Sequence, residues 1–158
     1  AESGAAAMLV TCSTIGPAVN AARLLLDMPV VRVDEPMAEE AVRTGARIGV
    51  AATLASTLSP TCQLLEDTAE WMKRQVNLTP VLVKGAFDAV SAGDPETHDA
   101  LIRDALIGLA AETDVIVLAQ ASMARAAGSL QVPVPVLSSP ALAVARAGEV
   151  IRREMANA

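Results

Sequence analysis

The sequence predicts an α/β fold of parallel sheets flanked by helices. Short apolar runs alternate with longer segments of helical period, and the order is β-α-β-α throughout. The apolar residues are mostly Ala, Val, Leu and Ile, small enough to let helices lie close on a sheet. They belong to the 53% of this 158-residue chain that is hydrophobic, ample for a core and incompatible with disorder.

Taken in order, residues 6–11 read as a buried strand. Residues 17–26 read as a helix with Pro17 at its first position, where a missing N–H costs nothing. Residues 28–33 form the next expected strand, and 36–44 a helix that Gly45 ends as a C-terminal cap. A third strand is expected at 47–52, a long helix at 55–75 with Pro60 near its start, and a fourth strand at 79–83 with Gly85 at its exit. Asp94-Pro95-Glu96 opens a helix that runs to about Glu112, with Leu101, Ile102, Ala105, Leu106 and Leu109 on one face. Residues 114–119 are the most strand-like stretch, 134–137 a sixth strand and 140–155 a closing helix. No segment is of low complexity and no fixed-period repeat is present.

Composition excludes several functions. The net charge is −6 and the aromatics are one Trp and one Phe, so there is neither a basic stripe nor a stacking platform for nucleic acid. No apolar run approaches the roughly 18 residues that span a bilayer, so no membrane association is expected. Ala1-Glu2-Ser3-Gly4 has no initiator Met and no basic segment leading into an apolar one; no signal peptide is expected, and the chain reads as part of a longer protein. Cys12 and Cys62 allow at most one disulfide and are read as reduced thiols of a cytoplasmic protein. A mean hydropathy of +0.43 predicts a homo-oligomer that covers apolar surface.

The polar residues cluster where strands end. Thr11-Cys12-Ser13-Thr14-Ile15-Gly16-Pro17 follows the first strand; Thr53, Ser56 and Thr57 follow the third; Gln120-Ala121-Ser122 follows the fifth; Ser138-Ser139-Pro140 follows the sixth. In an open parallel sheet these ends share one edge, where ligands bind, and the helix N-termini beside them attract anions. Any one Ser or Thr there is an ordinary helix cap. Four such turns together, one with a cysteine, point to a site for a small carboxylate held by hydroxyls and backbone amides. Cys12 is either a small buried hydrophobe or a reactive thiol, and the start of a helix favours the thiolate. Cys62, inside a helix, reads as packing. Asp34 reads as the cap of the helix from Pro36, with a carboxylate at the same sheet edge as the alternative. His98 is the single histidine, so neither a zinc site nor a Cys-His-Asp triad is expected. The glycines form neither a Walker loop nor G-x-G-x-x-G after a strand, so no nucleotide cofactor is expected.

Val10-Thr11-Cys12-Ser13-Thr14-Ile15-Gly16 resembles the first cysteine motif of the aspartate/glutamate racemase superfamily, which includes amino-acid and hydantoin racemases, maleate isomerases and arylmalonate decarboxylases. Arg47-Ile48-Gly49-Val50-Ala51-Ala52-Thr53 with Thr57, and Asp114 to Ala124 followed by Val136-Leu137-Ser138-Ser139-Pro140, fit the same group, so the resemblance runs over nearly the whole chain. It implies two similar α/β lobes with the active site between them, and no cofactor. It also implies one cysteine per lobe, working on opposite faces of the acidic carbon. Cys12 matches the first cysteine, with Ser13 and Thr14 in carboxylate-binding positions, and Thr53 and Thr57 match the anion-binding segment of the other lobe.

The sequence departs from that pattern twice. Where the second cysteine belongs stands Gln120, followed by Ala121 and Ser122, and a glutamine neither gives nor takes a proton at neutral pH. One thiol permits decarboxylation with protonation from one face, or isomerisation, with Gln120 orienting a carboxylate or amide and Ser122 a weak second donor. The strand-helix-strand-helix portion usual before the first cysteine is also absent, so the first lobe is expected to be incomplete. The expected organisation is a partial lobe at 1–44, an α/β lobe at 45–139, and a closing helix at 140–158 that packs back on the first. The function expected is a cofactor-independent isomerase, racemase or decarboxylase acting on a small carboxylic acid through Cys12. A carboxylate-binding protein derived from that family is the alternative, and a Cys12 or Ser122 hydrolase ranks last for want of a placed base.

Overall fold

A computed structural model describes residues 4–157. In chain order the elements are β1 (Met8–Val10), a 3-10 turn (Ser13–Ile15), α1 (Gly16–Arg23), β2 (Val30–Arg32), α2 (Glu35–Thr44), β3 (Arg47–Ala52), α3 (Ala55–Trp71) and β4 (Asn77–Leu82). There follow α4 (Ala86–Ser91), α5 (Pro95–Ala110), β5 (Val115–Leu118), a second 3-10 turn (Ala121–Met123), α6 (Ala124–Gly128), β6 (Val136–Ser138) and α7 (Ser139–Asn157). The α/β reading holds; β1, β2, β5 and β6 are shorter than the expected runs, β3 matches 47–52, and β4 begins two residues before the expected 79–83.

Every strand pair is parallel, in two sheets: β1-β2, and a four-stranded sheet in the order β4-β3-β5-β6. From β3 the chain steps outward to β4, then returns across β3 to β5. Strand order therefore reverses at β3 and β5, and the crevice beyond their C-terminal ends is where open α/β sheets bind ligands.

The central strands of the larger sheet, β3 and β5, are covered on both faces. Val115 and Val117 of β5 turn to one side, with Ile48 and Val50 of β3, Leu64, Leu65 and Ala69 of α3, and Met37, Ala38, Ala41 and Val42 of α2. Ile116 and Leu118 turn to the other, against Ile102, Leu106 and Leu109 of α5, Met123 and Ala126. This alternation is the two-residue period of a strand, and continuous apolar runs are what two covered faces require. Although α2 lies within residues 1–44, its apolar face packs on the four-stranded sheet. Helix α7 packs on α2 and β2, where Arg146 donates to both carboxylate oxygens of Glu39 at 3.1 and 2.7 Å.

Several local expectations need correction. Gly45 is extended (φ −160°), not a left-handed cap. Its requirement is space, because a Cβ there would collide with Asp114, whose carboxylate accepts the N–H groups of Ala46 and Arg47. Asp34 stands at the N-cap of α2 but makes no side-chain cap bond; it accepts instead from Arg32 at 3.0 and 2.8 Å. The charge of a buried guanidinium outweighs a cap that water or a backbone group can replace. Helices α4 and α6 escape the periodicity reading because six and five residues are too few to show a period. No described helix is long and apolar enough to cross a membrane.

Candidate active site

Two strand-end turns and the start of α7 enclose a cavity of about 430 Å³. Cys12, Ser13 and Thr14 line it from the two-stranded sheet, Gln120, Ala121 and Ser122 from the end of β5, and Thr57 from the first turn of α3. Thr53, expected to bind substrate, does not line it, and neither do Ser56 and Ser138 of the strand-end turns. Thr53 instead holds Gln120: its backbone N–H and its hydroxyl both donate to Gln120 Oε1, at 2.6 and 3.0 Å.

The backbone explains the placement. Cys12 is extended (φ −124°, ψ 110°) immediately before a 3-10 turn, which feeds α1 with Pro17 in its first turn. Gly16, where the turn meets the helix, lies against the Arg32 guanidinium so closely that any Cβ would collide with it. Arg32 also donates to Asn20 Oδ1 of α1 at 3.2 Å, so one buried side chain ties β2, α1 and the start of α2 together behind the Cys12 turn. In front, the Thr14 and Thr57 hydroxyls lie 3.3 Å apart, bridging that turn to α3.

Among the described residues no Lys, Arg, His, Asp or Glu lines the cavity. Of these lining residues Cys12 alone has an ionisable side chain, and it is exposed. Hydroxyls, one amide and backbone groups are the polar complement, the chemistry that holds an oxyanion without a counter-ion. Cys62 lies apart, packed against the core on α3, where burial and the nearby Glu66 push its thiol pKa up. His98 is buried on α5 with Nδ1 2.8 Å from Asp99 Oδ1, and Asp99 is ion-paired with Arg125; none of the three lines the cavity. Among the described residues no group of three or more His, Cys, Asp or Glu is placed to hold a metal ion.

Sequence reasoning left out the wall supplied by α7. Ser139, buried at its first position, and Ala143, one turn on and fully buried, both line the cavity. The signal was present in Ser138-Ser139-Pro140 as a fourth strand-end turn; Ala143 follows from Ser139 by helical spacing.

A family model described as Asp/Glu/Hydantoin racemase matches residues 1–147. Among solved structures, glutamate racemase isoform RacE1 from Bacillus anthracis is similar at TM-score 0.73 and 20% identity, over 94% of this chain and 59% of that one. Allantoin racemase from Klebsiella pneumoniae is similar at 0.72 and 22%, over 96% and 61%. A mutant of arylmalonate decarboxylase in a sulfate-associated form is similar at 0.57 and 20%, over 96% and 69%. At these identities the likeness is one of fold, and this chain spans about three-fifths of the length of the two racemase structures. No curated protein matches the sequence.

Proposed function

The chain belongs to the Asp/Glu/hydantoin racemase family, and from that premise we propose that it is a cofactor-independent isomerase, racemase or decarboxylase acting on a small carboxylic acid through Cys12. One observation carries the reading: an exposed thiol lies in a cavity that no other ionisable side chain lines among the described residues, beside the hydrogen-bond donors Ser13, Thr14, Thr57, Ser122 and the Gln120 amide. In the isomerising form the Cys12 thiolate adds to a carbon–carbon double bond beside the carboxylate, forming a C–S bond while the π pair moves into the carboxyl oxygens; the carbon–carbon bond turns, the pair returns to form the double bond, and the C–S bond breaks to release the thiolate. In the decarboxylating form the carbon–carbon bond breaks, carbon dioxide leaves, and the Cys12 thiol protonates the carbanion; water then restores the thiol proton. Gln120 exchanges no proton, so chemistry is confined to one face.

In this reading β1 and β2 belong to the partial first lobe, residues 45–139 form the second, and 140–158 close one on the other. The setting is cytoplasmic, with both thiols free. Leu24, Leu25 and Trp71 are 86%, 85% and 73% exposed, and such surface supports a homo-oligomer; a monomer in sedimentation analysis overturns that part. The central test is a panel assay for racemisation, isomerisation and decarboxylation with wild type and Cys12→Ser. Wild-type turnover that the substitution abolishes, with carboxylate affinity kept, supports the enzyme; turnover that survives overturns it. Gln120 in the second cysteine's position favours a second reading, a non-catalytic carboxylate-binding protein, for which binding without turnover in the wild type is the signature.

A further inference from the structure

The bond between Thr53 and Gln120 fixes more than a position. A backbone N–H can only donate, so the amide atom 2.6 Å from Thr53 N is the oxygen, and the hydroxyl of Thr53 donates to that same atom at 3.0 Å. Gln120 lines the cavity and Thr53 does not, so the oxygen end is committed to the end of β3. Among the described residues Nε2 has no protein acceptor, which leaves its two N–H groups for whatever fills the cavity.

A donor in this place selects for an acceptor, and the surroundings select its charge. Hydroxyls and amides can hold one carboxylate, at the Cys12-Ser13-Thr14 turn. A second negative charge in a cavity without a cation loses its hydration and gains no opposite charge. A neutral carbonyl oxygen loses little hydration and is matched by a neutral N–H. Building on the carboxylate site proposed above, we propose that Gln120, held by Thr53, binds a neutral carbonyl oxygen of the substrate, so that the site takes small acids carrying a ketone, amide or ureido carbonyl in preference to simple monoacids or diacids. Thr53 is then a positioning residue and Gln120 a substrate contact.

Three acids test this, differing at one end: levulinate, pentanoate and succinate. Affinities are measured by NMR titration of the ¹⁵N-labelled protein, with the Gln120 side-chain NH₂ signals assigned through its own backbone. The expected result is levulinate binding about fivefold or more tighter than either competitor, the increment of one neutral hydrogen bond, with the Gln120 NH₂ signals moving for levulinate and not for pentanoate. Gln120→Met removes both N–H groups without adding a charge and should erase the preference for levulinate over pentanoate. Succinate binding as tightly as levulinate, or unmoved Gln120 signals with levulinate bound, overturns the inference while the carboxylate site stands; the wild-type signals decide this even if the variant fails to fold. Absence of binding by all three acids overturns both the inference and the carboxylate site on which it rests.

Discussion

The turns after β1 and β5 are built alike and supported differently. Cys12 and Gln120 are both extended, at φ −124° and −131°, each immediately before a three-residue 3-10 turn that runs into a helix. At the last position of its turn the β5 copy has Met123, fully buried in the core, while the β1 copy has Ile15, 49% exposed. The strands differ in the same way. Val115–Leu118 is buried throughout, whereas Met8–Val10 pairs with one neighbour and is partly exposed along its length. One backbone device is thus pinned by apolar packing beneath a strand covered on both faces, and the other by charge, through Arg32 and Asp34. The packed turn carries an amide that must keep one orientation. The charge-held turn carries the thiol.

Removing the charge support should produce the largest effect. Arg32 and Asp34 are 3% and 1% exposed, so Asp34→Ala leaves a buried guanidinium without its counter-ion, at a cost of about 3–5 kcal/mol in denaturant unfolding. Because Arg32 also backs Gly16 and Asn20, the rate of Cys12 alkylation should change at the same time. An unchanged labelling rate would show that the pair holds the fold and not the turn. The matching intervention on the other side is Met123→Ala, about 3 kcal/mol by the usual cost of emptying a buried methionine site. It should loosen the Gln120 turn, read as broadened side-chain NH₂ signals, and leave Cys12 labelling as in wild type. If either substitution disturbs both turns equally, the two supports are one.

The contrast also explains which parts of the molecule were legible in the sequence. The four-stranded sheet was, because a strand buried on both faces must be apolar throughout, as Val115-Ile116-Val117-Leu118 is. So was the convergence of Cys12, Ser13, Thr14, Thr57, Gln120, Ala121 and Ser122, since parallel strands deliver their C-terminal ends to one edge. The charge support was not. Asp34 just before Pro36 looks like a cap, and only the fold shows that β2 delivers Arg32 to it from two residues away. Thr53 was read as a substrate contact for the same reason: spacing places it at the edge but cannot say that its partner is Gln120, 67 residues later. Strand-end position brings Ser139 to the edge, but Ala143 is not legible, because its role depends on the path α7 takes back across the cavity.

That path yields the smallest of the expected effects and the one that bears on both turns. Helix α7 begins beside β5, lines the cavity with Ser139 and Ala143, and is tied to α2 by Arg146 and Glu39. The hydrogen bonds from Arg146, helped by its charge and by Arg43, hold the Glu39 carboxyl below its ordinary pKa of 4.5. A carboxyl whose pKa is lowered by folding stabilises the native state at pH above its unfolded value and loses that contribution as the pH falls through the lower, native one. The tie should therefore be intact at neutral pH and weaken below about pH 4.5, with a value of about 1 kcal/mol for a partly exposed pair. Arg146→Met keeps much of the apolar stem and removes the charge. Its melting temperature should lie a few degrees below wild type at pH 7, and the gap should narrow as the pH falls below 4.5. Because α7 walls the cavity that the two turns share, the same substitution at pH 7 should raise Cys12 labelling and broaden the Gln120 NH₂ signals together. A gap that persists in acid would place the Arg146 contribution in its packing on α2, and labelling that rises alone would put the hinge of α7 on the thiol side of the cavity.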